Sequence, residues 1–177
     1  MGLFDVHAHL SHPDFASDLP DLLARARAAG VTTIISNGLN LEDNVAVRAL
    51  AGGSDLVRPA FGCYPVDAVL TEMLADGFDY PREASAHSPE DALDWTRAHA
   101  DDAIAIGEIG LDGYWVEAKY WDRQEEVFRA FVQAAIDLDK PVILHSRKRE
   151  ARCLEILQEM GVRLADFHCF GGRVNLA

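Results

Sequence analysis

The sequence predicts an α/β protein organised around a parallel sheet, and three observations carry that reading. Short apolar or β-branched runs alternate with amphipathic segments of helical period. Capping residues and glycines punctuate the joints between them. Four of the apolar runs lead directly into a histidine or glutamate, at the strand ends where parallel α/β proteins place their chemistry.

The first strand spans Leu3 to Leu10. Alternation along it puts Asp5, His7 and His9 on one face, with Val6 and Ala8 on the other. A loop through Ser11, His12, Pro13 and Asp14 leads to a helix that starts near Asp18, has Leu22, Leu23 and Ala26 as its apolar face and stops at Gly30. Val31 to Ser36 is β-branched and forms the second strand. Asn40 caps a second helix whose apolar side carries Val45, Ala49 and Leu50, with Gly52 and Gly53 at its end. Val57 to Phe61 is the third strand, followed by Gly62-Cys63-Tyr64-Pro65.

The rhythm then breaks. Val66 to His87 is a long connection with one short helix around Ala68 to Ala75, of the kind that forms functional rims. Ser88, Pro89, Glu90 and Asp91 start a helix that continues through Ala92, Trp95 and His99. Ala103 to Gly107 is the fourth strand and ends at Glu108. The longest helix, Trp121 to Leu138, turns Val127, Phe131, Ala134 and Leu138 to the core. Pro141 to Leu144 is the fifth strand and ends at His145. A helix from Arg149 to Met160 has Leu154 and Leu157 inward, and Val162 to Phe167 is the sixth strand, ending at His168.

The chain of 177 residues, 49% of them apolar, is read as a single domain, residues 1–177. No apolar run is long enough to span a bilayer, and the start lacks the form of a signal peptide, so the expected location is the cytoplasm. Cys63, Cys153 and Cys169 have no CxxC spacing and read as buried small apolar residues. The formal charge of -13 comes with only three lysines, Lys119, Lys140 and Lys148, a balance that favours solubility, repels nucleic acid at long range and fits a high-salt host.

His7, His9, Glu108, His145 and His168 form the candidate metal set. Imidazole nitrogen and carboxylate oxygen suit zinc, manganese, cobalt or nickel. Four imidazoles and one carboxylate exceed what one tetrahedral ion needs, so Glu108 is placed as a bridge between two ions, with His7 and His9 on one and His145 and His168 on the other. Arg147, two residues past His145, is either a bidentate phosphate ligand or a solvated loop arginine beside Lys148 and Arg149. Asp112 is either a partner that orients a ligand histidine or a polar loop residue.

Asp5-Val6-His7-Ala8-His9, Gly107-Glu108-Ile109-Gly110-Leu111-Asp112, His145-Ser146-Arg147 and His168-Cys169-Phe170-Gly171-Gly172 resemble, in order and spacing, the TatD-family metal-dependent deoxyribonucleases of the amidohydrolase superfamily. The resemblance implies a TIM-barrel-type parallel (β/α) metallohydrolase fold, two divalent ions (Mg, Mn or Zn) and hydrolysis of DNA phosphodiesters. His7, His9, Glu108, His145 and His168 match the family's ligand positions. Glu108 and Arg147 are the implied catalytic residues, Tyr64 and Arg147 the implied substrate contacts, and Gln124 and Phe128 on the long helix also match the pattern. Tyr64 stands where the common bacterial pattern has histidine, and Gly-Cys-Tyr-Pro-Val-Asp resembles an archaeal branch.

The family barrel of about 250 residues has eight β/α units, of which this chain reads as about six. The expectation is therefore a C-terminally shortened barrel, ending at Val174-Asn175-Leu176-Ala177, without the late aspartate of the first ion site. Its open edges invite a second copy or a partner chain. Two competing readings follow: an amidohydrolase acting on a small amide or ester, and an inactive truncated chain that needs a partner to complete the barrel.

Overall fold

The computed structural model describes residues 2–79 and 88–173. Residues 80–87 of the expected long connection, and the terminal 174–177, lie outside the described residues.

Six strands form one sheet in the order β1-β2-β3-β4-β5-β6, with every neighbouring pair parallel. They are β1 (Leu3–Ala8), β2 (Val31–Asn37), β3 (Val57–Phe61), β4 (Ala105–Asp112), β5 (Val142–Arg147) and β6 (Ala165–His168). The helices are α1 (Leu19–Ala28), α2 (Leu41–Gly52), α3 (Leu70–Ala75), α4 (Pro89–Ala98), α5 (Trp121–Asp137) and α6 (Glu150–Met160). The sheet curls into a nearly closed barrel, bringing the ring of His7 on β1 against that of His168 on β6, stacked at 3.6 Å between centroids. Among the described residues, β1 and β6 each pair on one side only. Their flanks leave Phe4 69% and Leu164 66% exposed, with Leu3 and Val6 also open to solvent.

The caps read from the sequence are present. Asn40 accepts a hydrogen bond from the Asp43 amide (3.1 Å) and Ser88 one from the Asp91 amide (3.2 Å), each satisfying a donor that the first helical turn leaves free. Phe128, Phe131, Cys153 and Ile156 of α5 and α6 pack on Ile106, Ile109, Leu111, Val142 and Leu144 outside the sheet. Each large apolar side chain buried there contributes about 1.5–3 kcal/mol. Inside the sheet, Ile35, Ala60, Ala105 and Ile143 fill one end of the barrel and leave the other end to polar side chains.

Several sequence expectations are corrected. The buried face of α2 is Asn44 and Val47, while Val45 is 49% exposed. Asn44 faces inward because its amide clamps both backbone groups of Gly62, donating to the carbonyl (2.9 Å) and accepting from the N–H (3.1 Å). On α6, Cys153 and Ile156 join Leu157 inside, and Leu154 is only half-buried. Cys169 is exposed, unlike Cys63 and Cys153, because it lies past β6 where no helix among the described residues covers it. Finally, β4 and β5 continue beyond Glu108 and His145. They keep pairing up to Asp112 opposite Arg147, so the two site residues lie within strands and are held from both sides.

No described helix is long and apolar enough to cross a membrane.

Candidate metal centre

The polar end of the barrel is built around Glu108, and an irregularity in β4 points it inward. Ile106, Ile109 and Leu111 all face the outer helices. Strict alternation from Ile106 would send Glu108 outward as well. The register shifts between Ile106 and Ile109, so one extra residue is taken up there and Glu108, Gly110 and Asp112 share the inner face. Two glycines permit the close approach. A Cβ on Gly62 would sit 2.6 Å from the Glu108 carbonyl oxygen, and one on Gly110 (φ +143°) would sit 1.9 Å from that of His145.

Glu108 is 2% exposed, and its two carboxylate oxygens serve different partners. Oε2 lies 3.4 Å from His7 Nε2 and 3.2 Å from His9 Nε2, and those two nitrogens are 3.1 Å apart. Oε1 lies 3.1 Å from His145 Nδ1. The other nitrogen of His145, Nε2, lies 2.9 Å from Asp112 Oδ2. Asp112 is fully buried, and its Oδ1 accepts the backbone N–H groups of Tyr114 and Trp115, both at 2.7 Å. Its own N–H donates to Gln124 Oε1 (3.2 Å), and Gln124 Nε2 donates on to the Pro65 carbonyl (3.1 Å). Asp112 is thus the orienting partner of a histidine, which settles the alternative left by the sequence.

Burial alone would raise the carboxyl of Glu108, but hydrogen bonds from His145, His7 and His9 hold it well below the usual range. Burial likewise opposes charge on His145, yet Asp112 and Glu108 outweigh it and push that imidazole up to about 9. His9 is raised because the Glu108 carboxylate overcomes its burial. His168 is lowered, first by burial and then by the neighbouring His7.

Three donor atoms, His7 Nε2, His9 Nε2 and Glu108 Oε2, therefore form a triangle with sides of 3.1, 3.4 and 3.2 Å. An ion with bonds of about 2.0–2.1 Å has donors separated by about 3.3 Å when tetrahedral and about 3.0 Å when octahedral. The triangle fits one face of either polyhedron. One detail adds to the fit, at His9. The Asn37 carbonyl lies 3.0 Å from His9 Nδ1 and takes its proton, leaving the Nε2 lone pair directed at the cluster. His7 Nδ1 is buried with no hydrogen-bond partner among the described residues.

The other sequence candidates stand around this triangle. His145 is across Glu108, His168 is stacked on His7, and the Tyr64 ring meets that of His145 edge-on at 4.8 Å. Arg147 is exposed at the end of β5, its guanidinium 3.8 Å from the centre of the Tyr114 ring. Sequence reasoning missed Asn44, the Asn37 carbonyl and Tyr114. The run Asp112-Gly113-Tyr114-Trp115 was the one local signal for the last of these, an aromatic pair next to a buried acid.

Fold and cluster together define a class: parallel β/α-barrel proteins with a histidine and carboxylate metal-type centre at the C-terminal ends of the strands. Comparison with known proteins narrows it. The chain belongs to the family described as TatD related DNase, which matches residues 4–177. It is 31% identical over 177 residues to the uncharacterized metal-dependent hydrolase YabD of Bacillus subtilis, covering 99% of this chain and 63% of that protein. It is 35% identical over 173 residues to a protein of Pantoea sp. (strain At-9b) named 3'-5' ssDNA/RNA exonuclease TatD, covering 96% and 60%. Among solved structures, the TatD homolog YjjV of Escherichia coli K12 superposes with a TM-score of 0.81 at 28% identity, over 99% of this chain and 62% of that one. The chain therefore spans less than two thirds of the length of these relatives.

Proposed function

We propose that the chain carries the metal centre of a hydrolase that cleaves DNA phosphodiester bonds with two divalent ions. One observation carries this reading: Glu108 directs one oxygen to His7 and His9 and the other to His145, as a carboxylate shared by two ion sites requires. The relatives named hydrolase and exonuclease support the reaction class.

His7, His9 and Glu108 would hold one ion, and Glu108, His145 and His168 the other. When bound, such ions stabilise charge on a phosphoryl oxygen and lower the pKa of water, whichever of Mg, Mn or Zn is present. The chain's own residues do the rest. Glu108 is kept ionised by its three histidines, Asp112 fixes the orientation of His145, and Arg147 stands at the rim to take a phosphate bidentately. Tyr64 packs edge-on against His145, where it could contact substrate. Free cysteines at all three positions fit a cytoplasmic location. The one-sided edges of β1 and β6 fit completion by further β/α units, from a second copy or a partner chain.

The test is metal content per chain on purified protein, paired with cleavage of DNA before and after chelation. About two ions and chelator-sensitive cleavage are expected. Cleavage that survives chelation, or hydrolysis of a small amide or ester with DNA untouched, would overturn the reading. A metal-free, inactive preparation that recovers only with added partner units would assign the activity to the completed barrel.

A further inference from the structure

We propose that Tyr114, Arg147 and Lys148 form a platform on which a base of single-stranded nucleic acid stacks at the mouth of the metal centre. The proposal rests on the phosphodiesterase reading above and specifies the part of the substrate that this rim grips.

The sequence places four basic residues, Arg147, Lys148, Arg149 and Arg152, within a short span of a chain whose net charge is -13. The structure divides them into two pairs. Arg149 and Arg152 are neutralised by Glu125, and Arg152 also by Glu155. Arg147 and Lys148 have no carboxylate partner among the described residues. Both instead converge on the same aromatic ring, with Arg147 Cζ 3.8 Å and Lys148 Nζ 4.8 Å from the centroid of Tyr114. That ring is 48% exposed. Lys148 reaches it from a left-handed backbone conformation (φ +60°) that non-glycine residues seldom adopt.

The platform is also fixed relative to the reacting end of the site. Asp112 holds His145 with one oxygen and, with the other, the N–H groups that set the turn carrying Tyr114. Arg147 follows His145 by two residues on the same strand, and its carbonyl accepts the N–H of Gly113 (2.8 Å). Trp115 meets Tyr114 edge-on at 5.0 Å and packs among Val66, Val69 and Val116, anchoring the turn from beneath.

An exposed aromatic ring with a planar guanidinium against it is a surface onto which a nucleobase adds as a further layer. Two cations beside it meet the adjacent phosphates. A duplex keeps its base faces inside the stack, so a base settling on Tyr114 must come from a single strand or a frayed end. The arrangement therefore selects unpaired ends and hands the neighbouring phosphate to the metal centre.

The experiment measures binding without cleavage. With chelator present, the full chain is titrated by fluorescence anisotropy against a labelled single strand of about 12 nucleotides, and against a strand of the same length whose sugars lack bases. Wild type is expected to bind the base-bearing strand about tenfold more tightly. Tyr114→Ala is expected to erase that preference, and Tyr114→Phe to retain it. Tyr114→Leu serves as a second non-aromatic variant should Tyr114→Ala fail to fold. Equal binding of the two strands by wild type, or an undiminished preference in Tyr114→Ala or Tyr114→Leu, would overturn the proposal. Base preference in a protein that never cleaves DNA removes the hydrolase reading and leaves the platform standing. DNA cleavage without base preference does the reverse.

Discussion

Asp112 is the residue on which the site turns. Its two oxygens tie His145 to the turn at Tyr114, and Asp112 and Leu111 before it are both buried. Asp112→Asn keeps an oxygen for the turn but loses the charge that orients His145. Metal affinity is expected to fall about ten- to hundredfold with the fold intact, as measured by metal titration alongside circular dichroism. The thiols give a second residue-scale expectation. Burial pushes Cys153 up to about 12, and Cys63 is also buried, while Cys169 is exposed. Native protein at neutral pH should therefore take up one equivalent of a thiol reagent, at Cys169, and three only after denaturation; mass spectrometry reads this directly. Which residues gather at the polar end of the barrel was legible in the sequence, because histidine and glutamate following apolar strands are conspicuous. What Asp112 does was not, because its partners come from β5 and from a backbone turn that no local pattern encodes.

At the scale of elements, the sequence located every strand and every α-helix within the described residues but not the short 3-10 turns such as Pro13–Phe15, and the caps at Asn40 and Ser88 explain why those two starts were readable. It misjudged faces and ends where tertiary contacts decide. The inner face of α2 is set by the bond between Asn44 and Gly62, which outranks the apolar run through Val45 and Ala49. Val47→Ala is accordingly expected to cost about 2 kcal/mol and Val45→Ala less than about 0.5 kcal/mol, in urea unfolding of the two variants. In β4, the pattern of Ile106, Ile109 and Leu111 breaks its own alternation, and only the pairing with β5 shows where. Gly110→Ala forces a Cβ onto the His145 carbonyl at positive φ. A loss of about 2–4 kcal/mol is expected, together with reduced metal binding, since the clash lies against a site residue.

For the molecule as a whole, ion pairs between helices contribute to stability, and an ion held at the centre would add to it. Glu125 on α5 bonds Arg152 and Arg149 of the α6 segment, and these guanidiniums hold its carboxyl below the usual range. A depressed carboxylate contributes stability that is present above its unfolded pKa and lost as pH falls through the folded one. Between neutral pH and the ordinary glutamate value of about 4.3 the contribution is intact, and it declines below that. Thermal melts of wild type and Glu125→Gln should therefore differ at pH 7 and converge as the pH falls through the acid range. An ion bound at the centre adds to the folded state by mass action, about 2.7 kcal/mol at a hundredfold excess over Kd. Chelation is expected to lower the melting temperature by the matching amount, and His9→Ala to abolish the difference.

The stacking of His7 on His168 has a consequence for the order of events in the cell. Within this sequence β1 is made first, and it brings His7 and His9, with His12 in the loop that follows. Glu108, His145 and His168 follow at intervals spread over most of the chain. No chain that stops short of His168 can bring all five side chains together, and contacts so far apart in sequence are of the kind that form late. Ion capture by all five side chains would therefore wait until His168 has been made. Protein produced in a medium starved of the right ion should be recoverable by adding that ion later, with no new translation.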